Sequence, residues 1–267
     1  VANSSRGNLL NISFNIICEF ILNGEQSNGN FTMLSLKTDN KLITQLFISL
    51  CLDIINLIGD KVEFPRVVEV VNGVRELFMN FLRPSIKDEI GIWGELFIIS
   101  QAKDTKNAID SWHLDAYDTF DFNDGDNKME VKTTTNKQRV HIISLNQILK
   151  SIETESLICS IMTSKIDLGV DIFDLKELIS NKIDQIYRHK LNKKIIISVG
   201  DQWQKFNNKF DYNTAKKSIR FFNANEIPKI KPNTIEKNIS NVKFSVNLES
   251  VKSLDLMVLK KKPIYLP

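Results

Sequence analysis

The stretch Asp121–Lys132, which reads DFNDGDNKMEVK, predicts a β-hairpin around which this 267-residue chain is organised. The first strand is expected over Tyr117–Phe122, the turn over Asn123–Asp126 and the second strand over Lys128–Thr134. Aspartate followed by glycine is a strong turn signal, because glycine adopts positive φ without steric cost. The hairpin therefore brings together side chains that are separated in the sequence.

Three charged side chains are expected to meet at this hairpin. Successive side chains of a strand point to opposite faces, so Glu130 and Lys132 share one face, and the turn brings Asp121 beside them. Two adjacent carboxylates repel each other and suit Mg²⁺, which needs only one or two protein carboxylates. A lysine next to them can orient a water and stabilise charge that develops on a phosphate. This pattern is typical of phosphodiester hydrolysis.

The triplet Glu-x-Lys by itself leaves a structural alternative open. It is short enough to occur by chance. A solvent-facing strand with a cross-strand ion pair, stabilised by about 0.2–1 kcal/mol, would contain the same residues.

The composition, 42% hydrophobic and 25% charged, is that of a globular chain with one large domain or two small ones. The longest apolar stretch, Leu42–Gly59, is interrupted by polar residues, so we expect a buried helix, no membrane span and no signal peptide. Cys18, Cys51 and Cys159 lie in apolar segments without metal-type spacing, which predicts reduced thiols in a cytoplasmic protein.

Charge is distributed unevenly along the chain. Residues 1–134 carry 12 Lys and Arg against 19 Asp and Glu, a net charge of −7. Residues 135–267 carry 23 against 13, a net charge of +10. An acidic cluster followed by a basic half is expected of a metal site beside a surface that binds a polyanion. A lysine-rich surface that confers solubility explains the second half equally well.

The elements around the hairpin follow the order αβββαβ. A helix is expected over Ser85–Ser100, a third strand over Val140–Ser144, a helix over Leu145–Thr154 and a fourth strand over Leu157–Thr163. This order predicts a mixed central sheet flanked by helices, in the α+β or α/β class. Glu95 starts an apolar run in the first helix, so it is either paired with a basic residue or functional.

Gly91 and Gly94 lie three residues apart in the same helix. Each glycine costs a helix about 1 kcal/mol relative to alanine. The pair therefore predicts a helix face that another backbone approaches closely.

We expect three regions: 1–84 packing on the core, 85–165 as the core, and 166–267 as a basic, β-rich extension continuous with it. In the first region, strands are expected over Leu9–Phe14 and Phe31–Leu36, with a polar loop over Asn23–Asn30 before the second strand. Two helices should follow, over Leu42–Ile58 and Val67–Phe81. In the third region, one long amphipathic helix is expected over Asp171–Lys190. Strands should follow it over Lys194–Val199, Ser218–Asn223 and Val242–Leu248.

Several short sequence motifs resemble, in their order and spacing, those of the PD-(D/E)XK motif protein family of the restriction-endonuclease-like nuclease superfamily. They are GIWGELFIIS at 91–100, SWH at 111–113, DF at 121–122, MEVKTT at 129–134 and RVHIISLNQ at 139–147. The likeness continues in SIRFFNANEIPKI at 218–230 and VKFSVNLESV at 242–251, and it covers about residues 67–250. That family belongs to bacterial restriction and phage-defence gene clusters.

The resemblance implies a role for four side chains. Asp121 would be the first acid of the motif, Glu130 the second and Lys132 its lysine. Glu95 would be the extra acid that many members bring from the first helix. Phe-Asp-Phe stands where the family pattern has Pro-Asp.

Two further residues are possible accessories of this site. Asp118 competes with Asp121 for the place of the first acid, and Gln147 follows the third strand closely enough to lie near the site. By contrast, Trp112 is expected in the core, and His113 and His141 are expected as hydrogen-bonded surface residues.

The function implied is a Mg²⁺-dependent DNA endonuclease of a restriction or anti-phage defence system, with Mn²⁺ able to substitute. Its partner would be double-stranded DNA, with other subunits of the system and a homodimer as further possibilities. Basic residues expected at the DNA backbone are Lys137, Arg139, Lys216, Lys217 and Arg220. The alternative is a non-cleaving DNA- or partner-binding subunit with the same fold, and RNA or a nucleotide stays open as substrate.

Overall fold

The computed structural model describes residues 5–6, 9–39, 41–59, 62–81, 87–113, 120–125, 127–153, 156–200, 205–230, 235–236 and 238–255. The chain divides into two compact units, Val1–Arg83 and Pro84–Pro267. Within the described ranges, no helix combines the length and the apolar character that crossing a membrane requires.

The described part of the first unit contains an antiparallel sheet, ordered β1-β2-β3, and two helices. Its elements are β1 (Ser5–Arg6), β2 (Leu10–Leu22), β3 (Glu25–Leu36), α1 (Lys41–Ile58) and α2 (Phe64–Phe81). Both predicted helices are confirmed. The strands are longer than expected, and the polar loop predicted over residues 23–30 is wrong.

The chain reverses within two residues at the end of β2. Asn23 and Gly24 both have positive φ, 53° and 87°, and the polar segment after them belongs to β3. Side chains on both faces of that segment are exposed. The segment therefore lacks the alternation of apolar and polar residues from which a strand is predicted, and the sequence indicated a loop instead.

The second unit begins with the elements that carry the predicted motif. They are α3 (Glu89–Gln101), α4 (Thr105–Ser111), β4 (Phe122–Asn123), β5 (Lys128–Thr134), β6 (Val140–Ser144), α5 (Leu145–Glu153) and β7 (Ser156–Met162). The remaining elements are β8 (Lys165–Val170), α6 (Ile172–Ser180), α7 (Gln185–Val199), α8 (Tyr212–Ser218), β9 (Arg220–Asn223) and β10 (Lys243–Asn247).

The expected mixed sheet flanked by helices is confirmed, and its strands are ordered β4-β5-β7-β9. β5 and β7 are parallel, and both outer pairs are antiparallel. β6 does not join this sheet. It pairs instead with β10, from Lys243 opposite Ser144 to Asn247 opposite Val140. We call this two-stranded antiparallel pair the ribbon.

α3 lies at the centre of the unit. Residues 92–100 are all buried, and the apolar side chains among them share one core with β5, β7, α6 and α7. The helix begins at Glu89 with Asp88 as its N-cap. The predicted start at residue 85 is therefore wrong, although Ser85 itself lies outside the described residues.

Gly94 lets α3 lie close to β5. A Cβ atom at Gly94 would lie 1.8 Å from Thr133 Oγ1 and 3.0 Å from Thr133 Cβ. Gly91 differs, because a Cβ there would meet the side chain of its own helix cap, Asp88, at 2.7 Å. A close approach does occur at Gly94, but the atoms nearest to it belong to the Thr133 side chain and not, as predicted, to a backbone.

The third region differs from its prediction in its helices, and α8 was not expected at all. The single helix expected over residues 171–190 is two, because the chain breaks after Ser180 and Asp184 caps α7. The strand expected over residues 194–199 is the end of α7. Its isoleucine run suggested a strand, but the buried residues Leu191, Ile195, Ile196 and Val199 follow helical spacing.

Candidate active site

The hairpin predicted around the motif is confirmed, with a short first strand. Phe122 lies opposite Met129, and Gly125 at the turn has a φ of 95°. Asp121 stands directly before β4, and its Oδ2 accepts a hydrogen bond of 2.8 Å from the backbone N–H of Val131. The competing acid, Asp118, lies outside the described residues.

Glu130 and Lys132 lie on one face of β5, as the alternation predicted. The distance from Lys132 Nζ to Glu130 Oε1 is 2.7 Å. Gln147 of α5 donates from Nε2 to the same Glu130 oxygen over 2.6 Å. The ammonium and the amide together hold one orientation of the Glu130 carboxylate, so the expectation that Gln147 lies near the site is met by a direct contact.

Glu95 is buried in α3, with 2% of its surface exposed. Its Oε2 accepts a hydrogen bond of 2.6 Å from the indole Nε1 of Trp112, and its Oε1 lies 2.7 Å from Lys87 Nζ. Trp112 is a core residue as expected. It also orients an acid, which its sequence position did not indicate.

Lys87 is the site residue that the sequence reasoning missed. Its Nζ lies 2.7 Å from Glu95 Oε1 and 2.5 Å from Asp121 Oδ1, so one ammonium bridges two acids. A signal existed, because an acid that begins an apolar helical run requires a basic partner. Its spacing of 34 residues from Asp121 could not reveal the contact.

These side chains open into one cleft of about 540 Å³. The floor is formed by the charged and amide side chains Lys87, Glu95, Asp121, Glu130, Lys132 and Gln147. One wall is formed by the ribbon residues Val140, His141, Ile142, Ser144 and Lys243. The site predicted from the motif is therefore assembled from α3, the hairpin, α5 and the segment before α3.

Burial and mutual repulsion govern the acids of the cleft. The pKa of Glu95 is raised to about 8, chiefly by burial and also by the charge of Asp121, while Lys87 opposes the rise. The pKa of Glu130 is likewise raised to about 7, chiefly by burial and also by the charge of Asp121, while Lys132 opposes the rise. Burial alone would lower the pKa of Lys87, but Glu95 and Asp121 raise it above its usual value.

The donor set fits a hard divalent cation. With all groups ionised, Glu95, Asp121 and Glu130 exceed Lys87 and Lys132 by one negative charge, and carboxylate oxygens are the ligands that Mg²⁺ prefers. Among the described residues, no group of three acidic, imidazole or thiol side chains is arranged to hold a metal by itself. A pair of carboxylates is nevertheless sufficient for Mg²⁺, which retains several waters.

The structure corrects two of the sequence predictions near the cleft. Arg139 is 2% exposed, and its guanidinium donates to Ser160 and to the backbone oxygen of Ser218. A duplex phosphate cannot reach it, so the prediction that Arg139 contacts DNA is wrong. His141 is also buried rather than a surface residue, with Nε2 2.6 Å from Ser160 Oγ.

The other basic residues expected at DNA are exposed. Lys137 lies in the turn before β6, and Lys216 and Lys217 lie at the end of α8. Arg220 starts β9, with its guanidinium 3.8 Å from Glu249. None of these side chains lines the cleft, so a contact with DNA would lie outside it.

Nearly all of the first unit and most of the second match a known family. The family model described as "Putative PD-(D/E)XK family member, (DUF4420)" matches residues 2–249. The chain belongs to this family. No curated protein and no solved structure gave a match to the chain. Membership in a PD-(D/E)XK family makes the chain a nuclease-like protein, in agreement with its mixed sheet and its acidic cleft.

Proposed function

We propose that the chain is a metal-dependent endonuclease that hydrolyses phosphodiester bonds of double-stranded DNA. The observation that carries this proposal is the convergence of Asp121, Glu130 and Lys132 in one cleft, with Glu95 behind them. We further propose that it acts in a restriction or anti-phage defence system in the cytoplasm, with other subunits of that system as possible partners.

Asp121 and Glu130 would hold Mg²⁺, for which Mn²⁺ can substitute. When bound there, the cation supplies Lewis-acid polarisation of the scissile phosphate. Lys132 lies two residues after Glu130 on the same face of β5. It orients the attacking water and stabilises the charge that develops on the phosphate oxygens. Gln147 restrains Glu130, and Trp112 restrains Glu95, so the acids keep their positions when substrate arrives.

The outer face of the ribbon supports a nucleic acid as substrate. Directly opposed residues of an antiparallel pair point to the same face. Ile142 and Ser245 are such a pair, flanked by Lys243 and Asn247, and all four side chains are exposed. The inner face, with Ile143 and Val246, is buried in a separate apolar core.

A two-stranded ribbon of this kind fits the major groove of B-DNA. There, Asn247 and Lys243 can hydrogen-bond base edges, and Ile142 can contact a thymine methyl group. Lys137, at the turn before β6, would contact the phosphate backbone beside them. Since the ribbon is also a wall of the cleft, a duplex held on it would present a phosphate to the acids.

Cleavage assays on supercoiled DNA in Mg²⁺ test the proposal. Glu130→Ala and Lys132→Ala should each lower the cleavage rate at least about 100-fold, because each removes a group that acts in the transition state. Lys165→Ala, on exposed β8, is the matched control and should cut like the parent. The proposal fails if both site variants cut at the parental rate. Double-strand cutting would require two sites, for which we propose a homodimer.

A non-cleaving DNA- or partner-binding subunit is the second candidate. It is favoured by the two ammonium groups, Lys87 and Lys132, that already pair with the acids. Thermal melting with and without Mg²⁺ or Mn²⁺, for the parent and for Asp121→Asn, separates the candidates. Melting that ignores both cations, together with intact DNA binding, would favour the binding subunit.

A further inference from the structure

The Lys87 ammonium lies between the Glu95 and Asp121 carboxylates, where a positive charge is required. The residue itself lies outside the helix and strands that carry the motif. It precedes the Asp88 cap of α3 and so lies outside any helix or strand. Its side chain is 22% exposed, whereas those of its partners Glu95 and Asp121 are 3% and 10% exposed. The side chain of Lys87 is therefore more accessible to solvent than those of the two acids that it pairs with.

Asp121 cannot easily hold Lys87 and a divalent cation together. Its Oδ2 accepts the Val131 N–H, so Oδ1, 2.5 Å from Lys87 Nζ, is the oxygen that faces the cleft. A Mg²⁺ ligated by Oδ1 at about 2.1 Å would lie within about 5 Å of the ammonium. Like charges at this separation in a partly buried site repel strongly.

We propose that the Lys87 ammonium is a resident counter-cation of the metal-free site, and that it withdraws from Asp121 when a divalent cation binds. This inference rests on the proposed metal site of Asp121 and Glu130. The exchange keeps a positive charge beside Asp121 in both states, so its buried carboxylate is not left without a compensating charge. Because Lys87 competes with the metal ion for Asp121, it also lowers the affinity of the site for the metal.

Lys87→Met tests the exchange, because methionine retains most of the side-chain length without the charge. Removing the competing charge should tighten Mg²⁺ binding about tenfold or more in calorimetric titration. The metal-free variant should melt below the parent, and saturating Mg²⁺ should close that gap. If Lys87 instead kept its ion pair alongside the metal, Lys87→Met would lower the melting temperature by the same amount with and without Mg²⁺.

Lys106→Met is the matched control, since Lys106 also pairs with a carboxylate, Asp184, but at an exposed position. It should leave Mg²⁺ affinity unchanged. Unchanged or weaker Mg²⁺ binding by Lys87→Met, with a parent that binds, would overturn the exchange while leaving the metal site intact. If neither protein binds Mg²⁺ or Mn²⁺, the exchange and the proposed metal site are both overturned.

A second measurement uses the unaltered protein and so does not depend on how the variant folds. Acetic anhydride labelling followed by peptide mass spectrometry reports how accessible each lysine amine is. Mg²⁺ should raise the labelling rate of Lys87 several-fold, while Lys106 in the same molecule stays constant. Equal labelling of Lys87 with and without a saturating cation would contradict its withdrawal.

Discussion

The backbone N–H of Val131 donates to the Asp121 carboxylate over 2.8 Å. This bond ties Asp121 to the strand that carries Glu130 and Lys132. It leaves the other oxygen of Asp121 facing the cleft, 2.5 Å from Lys87 Nζ. The Asp121 carboxylate is therefore held beside Glu130 by a hydrogen bond from the strand itself.

Asp121→Asn should retain the bond to Val131, because the amide oxygen can accept it, but it removes the charge. We expect DNA cleavage to fall at least about 100-fold and the Mg²⁺-induced rise in melting temperature to disappear. Calorimetry and a cleavage assay measure the two effects. Asp167→Asn, on the exposed strand β8, is the control and should preserve both. A normal Mg²⁺ response in Asp121→Asn would show that Asp121 is not a ligand.

Gly94→Ala should destabilise the fold by about 1–3 kcal/mol, because the new Cβ would clash with Thr133 Oγ1. Urea denaturation measures the free energy of unfolding. Gly73→Ala in α2 is a matched control, since a Cβ there meets nothing within 4 Å and alanine favours a helix by about 0.5–1 kcal/mol. Gly94→Ala as stable as the parent would contradict the close approach of α3 and β5.

The free energy of unfolding of the metal-free protein should fall as pH rises from about 6 to 9. Glu95 and Glu130 have folded-state pKa values raised to about 8 and about 7, above their unfolded values. The folded state therefore binds their protons more tightly, and this stabilisation is lost as pH rises through the folded pKa values.

Urea denaturation at pH 6, 7.5 and 9 measures the slope. Glu130→Gln should flatten it near pH 7, because the amide does not titrate. Mg²⁺ should reverse part of the fall, since the cation binds the ionised carboxylates. Stability that rises over this interval in the metal-free parent would contradict the raised pKa values.

Lys243→Met should weaken DNA binding and reduce the dependence of log K on log salt by about one unit if Lys243 contacts a phosphate. If Lys243 instead reads a base edge, affinity should fall for particular sequences with little change in the salt slope. Fluorescence anisotropy with duplexes of different sequence distinguishes the two. Lys165→Met, on β8, is the control. No effect of Lys243→Met on any duplex would contradict the ribbon as a DNA-binding face.

Local patterns were sufficient for the centre of the site. Alternation along Lys128–Thr134 placed Glu130 and Lys132 on one face, and the turn signal placed Asp121 beside them. The same local reasoning failed where burial decided the structure. The isoleucines at the end of α7 have strand propensity, but their helical spacing matches the core.

The sequence by itself determined the hairpin and the family, because strand alternation, turn chemistry and short sequence motifs depend on only a few neighbouring residues. Only the tertiary structure decided that Lys87 bridges Glu95 and Asp121, that β6 leaves the sheet to form the ribbon, and that Arg139 is buried. Each of these depends on which distant segments share a core. A contact across 34 residues, such as that of Lys87 with Asp121, exists only after the chain has closed around it.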